Sequence, residues 1–359
     1  MITFLIFIII LSILIVVHEF GHFCAARRVG VKVEKFSLGF GPQLFKKKKG
    51  QTEYTISAIP LGGFVKLAGD NLEEYKGKND EYFYKSPGER FQIIFAGPFL
   101  NYILGFLVFW FIFFAGYPTL TAKVGGVLDG YGAKEAGLQI GDKIISVDGT
   151  NVSYWEDMQK LIQNRKASDK VKLTVKRNEQ VLAIDVKIKE KEVSDQLGSK
   201  RSIGLVGITP FDEIVQVRHG LFSSFILSAK QVWSLTVITY KGLWFLVTGK
   251  VSVRDSVTGP LGIFLITSKA ANMGLVAVLH LVAVLSISLG IFNLLPLPVM
   301  DGGHIVLLGI EKIRRKGLSL KVEGIITKIG ISLIITLAVF VTYNDILRIF
   351  GDKLSNFVK

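Results

Sequence analysis

Cysteine is almost absent: Cys24 is the only one among 359 residues. No intramolecular disulfide can form, and cysteine usage says nothing about the redox compartment. Acidic residues are also scarce, 29 Asp and Glu against 43 Lys and Arg, for a formal net charge of +14. A cleaved leader is a rival reading of the N-terminus that fits poorly. No basic residue precedes the apolar run from Met1 to Val17, and that run ends in charged residues instead of a small-residue cleavage site. No internal repeat is visible, and few polar residues line the apolar runs, which argues against a transporter built on paired halves.

What is abundant is apolar sequence. Half of the residues are hydrophobic and the mean hydropathy is +0.44. That is too apolar for an ordinary soluble enzyme, while the length allows two or three domains. Four stretches approach the length that crosses a hydrocarbon core: Met1 to Val17, about Phe91 to Pro118, about Leu275 to Pro298 and about Ile325 to Val341. Helix is the expected form, because lipid offers no partners for free backbone groups.

Lys and Arg in the short flanks set the orientation. Arg27, Arg28, Lys32, Lys35 and Lys46 to Lys49 follow the first stretch, and Lys312, Arg314, Arg315, Lys316, Lys321 and Lys328 lie between the third and fourth. Both flanks are expected in the cytoplasm. The segment from 118 to 218 is nearly balanced in charge and is expected outside, as are both termini. A fifth apolar stretch, Leu221 to Val247, carries Lys230, Gln231 and Lys241, and reads as a helix lying on the outer membrane face. Because the basic clusters sit beside apolar spans, membrane lipid is the expected partner and nucleic acid is not.

The first stretch ends in His18-Glu19-Phe20-Gly21-His22. Residues four apart share one helix face, so both imidazoles can reach one metal. Glu19 lies about a hundred degrees around the helix, where it can take a proton from water. Two His and one Glu in an apolar helix are costly unless they function. A catalytic zinc takes three protein ligands and leaves one position open, so a carboxylate or His on another span must complete the set. His18 is about 25 Å along the helix from Met1, near the cytoplasmic end of the core. The third stretch enters from outside and ends in Asn293-Leu294-Leu295-Pro296-Leu297-Pro298-Val299-Met300-Asp301-Gly302-Gly303-His304, at similar depth. Its two prolines break the helix. Asp301 is the candidate third ligand and His304 its rival; Asp-Gly-Gly also reads as a plain turn.

These two stretches resemble the site-2 protease family of intramembrane zinc metalloproteases, in the bacterial branch typified by the regulator of sigma-E protease. The resemblance implies His18, His22 and Asp301 as ligands of Zn2+, Glu19 as acid and base, and a substrate-contacting role for Asn293. Met300 stands where the family often has Leu, a conservative difference. The resemblance also implies location in a bacterial inner membrane and, as substrates, single-span membrane proteins already trimmed outside, such as anti-sigma factors or signal-peptide remnants, with this cut the second in regulated intramembrane proteolysis. By its residues alone, the segment of about 33–70 reads as an amphipathic hairpin on the cytoplasmic surface. The resemblance implies instead a re-entrant β-hairpin, with Gly39, Phe40 and Gly41 contacting unwound substrate. Ala96-Gly97-Pro98 and Asn101 match a family pattern too; physically they read as a helix-entry proline and a polar packing residue.

Ala136-Gly137-Leu138-Gln139-Ile140-Gly141-Asp142 and the run to Asp148-Gly149 resemble a PDZ domain. Within it, Ile203, Gly204 and Leu205 resemble the loop that holds peptide C-termini; the alternative is a module acting only as a steric filter. The best-known family member has two such domains, and this chain shows one. Gly259-Pro260-Leu261-Gly262 reads either as a re-entry turn or as a plain loop. The expected fold is a polytopic α-helical membrane protein with about four transmembrane helices, an inserted extracytoplasmic PDZ (α+β) domain and a membrane-associated β-hairpin. The expected parts are 1–117, the first membrane part; 118–212, the PDZ domain; 213–274, an interfacial helix and connector; and 275–359, the second membrane part. The other function classes weighed are a noncatalytic peptide-holding receptor, which needs no zinc, and the transporter set aside above.

Overall fold

Apolar side chains on almost every side of residues 2–17 leave that segment no solvent-facing stripe, and it forms the first half of helix α1, Ile2–Arg28. The computed structural model describes residues 2–163, 165–166, 169–194, 200–252, 257–316 and 320–357. They fall into two units: Met1–Ile112 with Phe222–Leu243 and Val253–Lys359, and Phe113–Leu221 with Trp244–Ser252.

In the first unit, β1 (Val33–Lys49) and β2 (Thr52–Leu67) make a hairpin folded back on itself. Val33 to Leu38 pairs with Gly63 to Leu67 on one side and with Glu53 to Ile56 on the other, while Gln43 to Lys49 pairs with Thr52 to Ser57. The bend is made by Gly39 and Gly41, with φ of 85° and 84°, a conformation that penalises any Cβ. The sheet is tied to α1 in two places. Ser12 Oγ donates to Pro60 O at 2.9 Å, and Phe23, Ala26, Val31, Val33, Phe36, Leu67 and Ile93 form a shared core.

After a 3₁₀ turn at Tyr82–Tyr84, helix α2 runs over Pro87–Ala115. Its start is a reciprocal cap: Ser86 N–H donates to Glu89 Oε2 at 2.9 Å and Glu89 N–H to Ser86 Oγ at 3.4 Å.

The second unit is α+β. Its strands are β3 (Tyr117–Leu120), β4 (Val124–Val127), β5 (Lys143–Val147), β6 (Thr150–Asn151), β7 (Lys170–Arg177), β8 (Gln180–Lys187), β9 (Lys189–Ser194), β10 (Lys200–Leu205), β11 (Ile208–Pro210) and β12 (Ile214–Val217). Its helices are α3 (Gly132–Glu135) and α4 (Trp155–Gln163). One sheet has the order β6-β5-β7-β8, and β9·β10, β4·β11 and β3·β12 pair separately. Alternate residues of β7, Val171, Leu173 and Val175, are fully buried with Ile144, Val147, Val186 and Met158 of α4.

The chain then returns to the first unit through α5, Leu221–Val247. Its Ser224 and Ser228 are fully buried. Ser228 Oγ donates to Phe106 O at 2.7 Å, Phe225 meets Phe106 edge-on, and Thr236 reaches Tyr102 at 3.5 Å. So α5 runs antiparallel beside α2. The sequence pattern sets this segment apart from the spans because of its lysines; Lys230 and Lys241 are exposed, and the buried polar residues are serines small enough for close helix packing.

Helices α6 (Pro260–Met273) and α7 (Leu275–Asn293) meet at Gly274, φ 103°. α8 covers Asp301–Arg314 and α9 Leu320–Phe357. Among the described residues, α1, α2, α5, α7 and Gly324–Ile349 of α9 are long and apolar enough to cross a membrane by length and composition. α9 outruns the apolar stretch seen in sequence. It can do so because the buried Asp345 carboxylate is satisfied: it accepts the N–H groups of Gly259 at 3.2 Å and Gly262 at 2.8 Å, and pairs with Arg348. That is a helix N-terminus capped from another helix.

A charged pair also organises the α+β unit. Asp142 is 1% exposed. It accepts Arg177 Nε–H and Nη2–H at 2.7 Å each, and Gln139 N–H at 2.9 Å. Burial works against the charged carboxylate, but the Arg177 fork and the Gln139 amide outweigh it and hold the Asp142 pKa below the usual aspartate range. A folded pKa below the unfolded one stabilises the unit above the ordinary aspartate value, and that stability fades as pH falls through the lowered pKa. Protection of β5 and β7 amides against hydrogen exchange, taken relative to the intrinsic rate at each pH, is therefore expected to fall on acidification below about pH 4 in the wild type. Arg177→Ala, which leaves Asp142 buried and unpaired, is expected to cost about 3–5 kcal/mol at neutral pH by the same measurement.

Candidate metal centre

On α1, His18 and His22 sit one turn apart, and Asp301 is the first residue of α8. Three potential ligand atoms converge. His18 Nε2 lies 3.1 Å from Asp301 Oδ2 and 3.2 Å from His22 Nε2, and His22 Nε2 lies 3.6 Å from Asp301 Oδ1. Two imidazole nitrogens and a carboxylate oxygen on a tetrahedral zinc, with bonds of about 2.0–2.1 Å, would stand about 3.3 Å apart. The donor set and its spacing both fit that ion, with a fourth position left over. Among the described residues this is the one such group of His, Cys, Asp and Glu.

The sequence explains why the group can assemble. A Cβ on Gly21 would lie 2.3 Å from Ala96 O, and a Cβ on Gly97 would lie 2.4 Å from His22 Nε2 and 2.9 Å from His18 Cε1. Glycine at both positions lets α1 and α2 touch and leaves room for the imidazoles. Pro98, inside α2, has no N–H to give Ile94 O. Beside this defect the Ile93 carbonyl takes a hydrogen bond from His22 Nδ1 at 2.8 Å. With Nδ1 protonated, His22 Nε2 presents its lone pair to a metal.

The Asp301 side is built equally tightly. α7 ends at Asn293, and Val299 adopts φ 75°, strained for a β-branched residue. A Cβ on Gly302 would lie 2.3 Å from Leu294 O and Leu295 O; one on Gly303 would lie 2.1 Å from Leu297 O. The glycine pair following Asp301 thus starts a helix pressed against the preceding turn, instead of forming the plain turn that sequence allows. Asn293 Nδ2 stands 3.4 Å from both ring nitrogens of His18.

Glu19 and His22 border a cavity of about 470 Å³ together with Val65, Arg90, Asp301 and His304. His304, the rival ligand, lines this cavity and is not in the converging group. Gly63 of the folded-back hairpin approaches Glu19, with its Cβ position 3.6 Å from Glu19 Cγ. The other residues singled out in the hairpin lie at its bend. Phe40 stacks on Phe64 at 6.3 Å and covers Gly62, and Gly39 packs on Ile59 O. Ile203, Gly204 and Leu205 lie in β10, paired with Lys191, Glu190 and Lys189. A Cβ on Gly204 would meet Ile162 O at 2.7 Å. The sequence places a hairpin over about 33–70, but nothing in its apolar pattern marks Gly62 to Leu67 as the part that meets α1.

The family model for peptidase family M50 matches residues 6–337. The chain belongs to peptidase family M50. Relatives match along nearly their full length. A Campylobacter jejuni protein, whose name assigns it provisionally to the zinc metalloproteases, is 34% identical over 98% of this chain and 95% of its own. The regulator of sigma-E protease RseP of Escherichia coli is 29% identical, covering 96% of this chain and 98% of that protein. The zinc metalloprotease RasP of Oceanobacillus iheyensis is 28% identical, covering 98% of this chain and all of that protein. Among solved structures, the PDZ domain of an SdrC-like protein from Listeria monocytogenes is similar to 25% of this chain, over 86% of that domain, at 27% identity; the TM-score is 0.20. For this M50 chain the glycine contacts yield a direct test. Gly97→Ala drives a methyl group into both imidazoles, and zinc affinity measured by chelator competition is expected to fall at least about tenfold.

Proposed function

We propose that this chain is an intramembrane zinc metalloprotease that cuts within the transmembrane segments of single-span membrane proteins, as the second step of regulated intramembrane proteolysis. The observation that carries this reading is the convergence of Asp301 with His18 and His22 of α1, a helix that is largely apolar from Ile2 to Val17, with Glu19 beside them. In this reading both basic flanks face the cytoplasm of a bacterial inner membrane, with the α+β unit outside.

His18, His22 and Asp301 would hold the zinc, which supplies Lewis-acid chemistry at the scissile carbonyl when bound. Glu19, at the edge of the cavity, takes a proton from the attacking water and returns it to the leaving amide nitrogen. The Asn293 amide, beside His18, donates to the substrate backbone or to the oxyanion. A peptide bond inside a helix is shielded, so the substrate must be held extended. The strand from Gly62 to Leu67 is paired on one side with Val33 to Leu38, and its Val65 and Leu67 line the cavity. Its other edge is suited to strand addition beside Glu19. The bend at Gly39, Phe40 and Gly41 shapes the end of that track. For Ile203 to Leu205, pairing with β9 and contact with α4 leave little edge for a peptide C-terminus, which favours a steric filter.

Glu19→Gln keeps the size of the side chain and removes the base. Cleavage of a model transmembrane substrate by the purified protein is expected to fall about 10²–10⁴-fold, with zinc content unchanged. Cleavage by Glu19→Gln at the wild-type rate would sink the reading.

A further inference from the structure

The centre has one ligand whose ring orientation is explained and one whose orientation is not. His22 is held by the Ile93 carbonyl on Nδ1. His18 turns Nε2 toward Asp301 and His22, so a metal bound there leaves the proton on Nδ1. That proton needs an acceptor. Two amide side chains are near. Asn293 Nδ2 lies 3.4 Å from both ring nitrogens, so it stands over the ring and favours neither atom. Asn101 is different. It is fully buried, and its amide meets His18 Nδ1 alone, at 3.2 Å.

With Nδ2 toward the ring, Asn101 Oδ1 is a buried acceptor with no hydrogen-bond partner among the described residues. The oxygen and nitrogen of an amide are exchanged by half a turn about one bond. That turn sets Oδ1 against Nδ1–H and replaces a donor facing a donor with a hydrogen bond. The turn pairs Nδ1–H with Oδ1 and leaves only Nδ2 to find a partner; each buried polar group left unpaired costs about 1–3 kcal/mol, so the turned amide is favoured whenever Nδ1 carries the proton. The backbone here is fixed as well: Asn101 O accepts from the buried Ser286 Oγ at 2.7 Å, which locks α2 to α7 at this residue.

We propose that Asn101 is the positioning residue of His18: its Oδ1 accepts the Nδ1 proton and holds the imidazole with Nε2 aimed at the metal. The proposal rests on the zinc reading of the centre. It gives the buried amide of α2 a role toward the ion that plain helix packing does not require.

The test is zinc affinity of the purified full chain in detergent, by competition with a chromophoric chelator. Asn101→Leu has similar volume and no acceptor, and is expected to weaken zinc binding about 10–100-fold. Asn101→Asp offers the same proton a stronger acceptor and is expected to bind zinc more tightly than the wild type. Wild-type affinity in Asn101→Leu overturns the proposal, as does weakened binding in Asn101→Asp. If Asn101→Leu does not fold, Asn101→Asp decides alone, and unchanged affinity there also overturns it. A wild-type chain that takes up no zinc would overturn the metal reading itself, whereas uptake by the wild type with indifferent variants overturns only the role of Asn101.

Discussion

Contact between two backbones, with no side chain between them, is the constraint on which the rest depends. Where Gly21 faces Ala96 and Gly97, α1 and α2 approach until a single methyl group would collide. Lipid tails are as apolar as leucine, so helices in a membrane are held by packing and by polar contacts, and small residues set how close they come. The same device recurs along α2. Gly105 receives Ile287 and the Ala283 carbonyl of α7, and Gly290 of α7 receives Tyr102 and the Pro98 carbonyl. These contacts carry Asn293 to His18. Gly302 and Gly303 complete the series by seating Asp301 against its own turn.

The second principle is that polar groups in the apolar unit answer one another over long sequence distances. Buried Arg90 of α2 pairs with Glu311 of α8, about three turns after Asp301. Asp345 of α9 takes the first amides of α6. Ser12, Ser228 and Ser286 each donate to a carbonyl in another element. Such groups are costly in hydrocarbon unless paired, so each pair links two elements that have no covalent reason to meet. The Arg90–Glu311 pair matters most to the centre, because it fixes the helix whose first residue, Asp301, joins the converging group. The geometry thus converges on one neighbourhood: α1, the Gly97-Pro98 step inside α2 and the start of α8.

Part of this arrangement was legible before any coordinate. The apolar lengths mark α1, α2, α7 and the core of α9, and the four-residue spacing of His18 and His22 places both on one face. Alternation in β7 foretells its buried Val171, Leu173 and Val175. Less was visible for Leu221 to Val247. Its lysines suggest an interface, while its packing on α2 depends on Ser224 and Ser228 meeting a partner that sequence does not name. The hairpin shows the same limit. Its β-pattern is plain, but the doubling-back at Gly39 and Gly41, and the choice of the Gly62 to Leu67 strand as neighbour of Glu19, follow from how the sheet lies on α1.

Local rules, then, decide what is written within a few residues: helix length, the shared face of two imidazoles, the capping of α2 by Ser86 and Glu89, and the glycine turns. They leave open whether Asp301 or His304 joins the histidines, for the two are three residues apart on one helix and equally able to bind. The choice was made by the strained turn at Val299 and by Gly302 and Gly303, which start α8 with Asp301 at the convergence and turn His304 to the cavity. Those are contacts between backbones far apart in the chain, and a linear pattern carries no record of which distant carbonyl a glycine will touch.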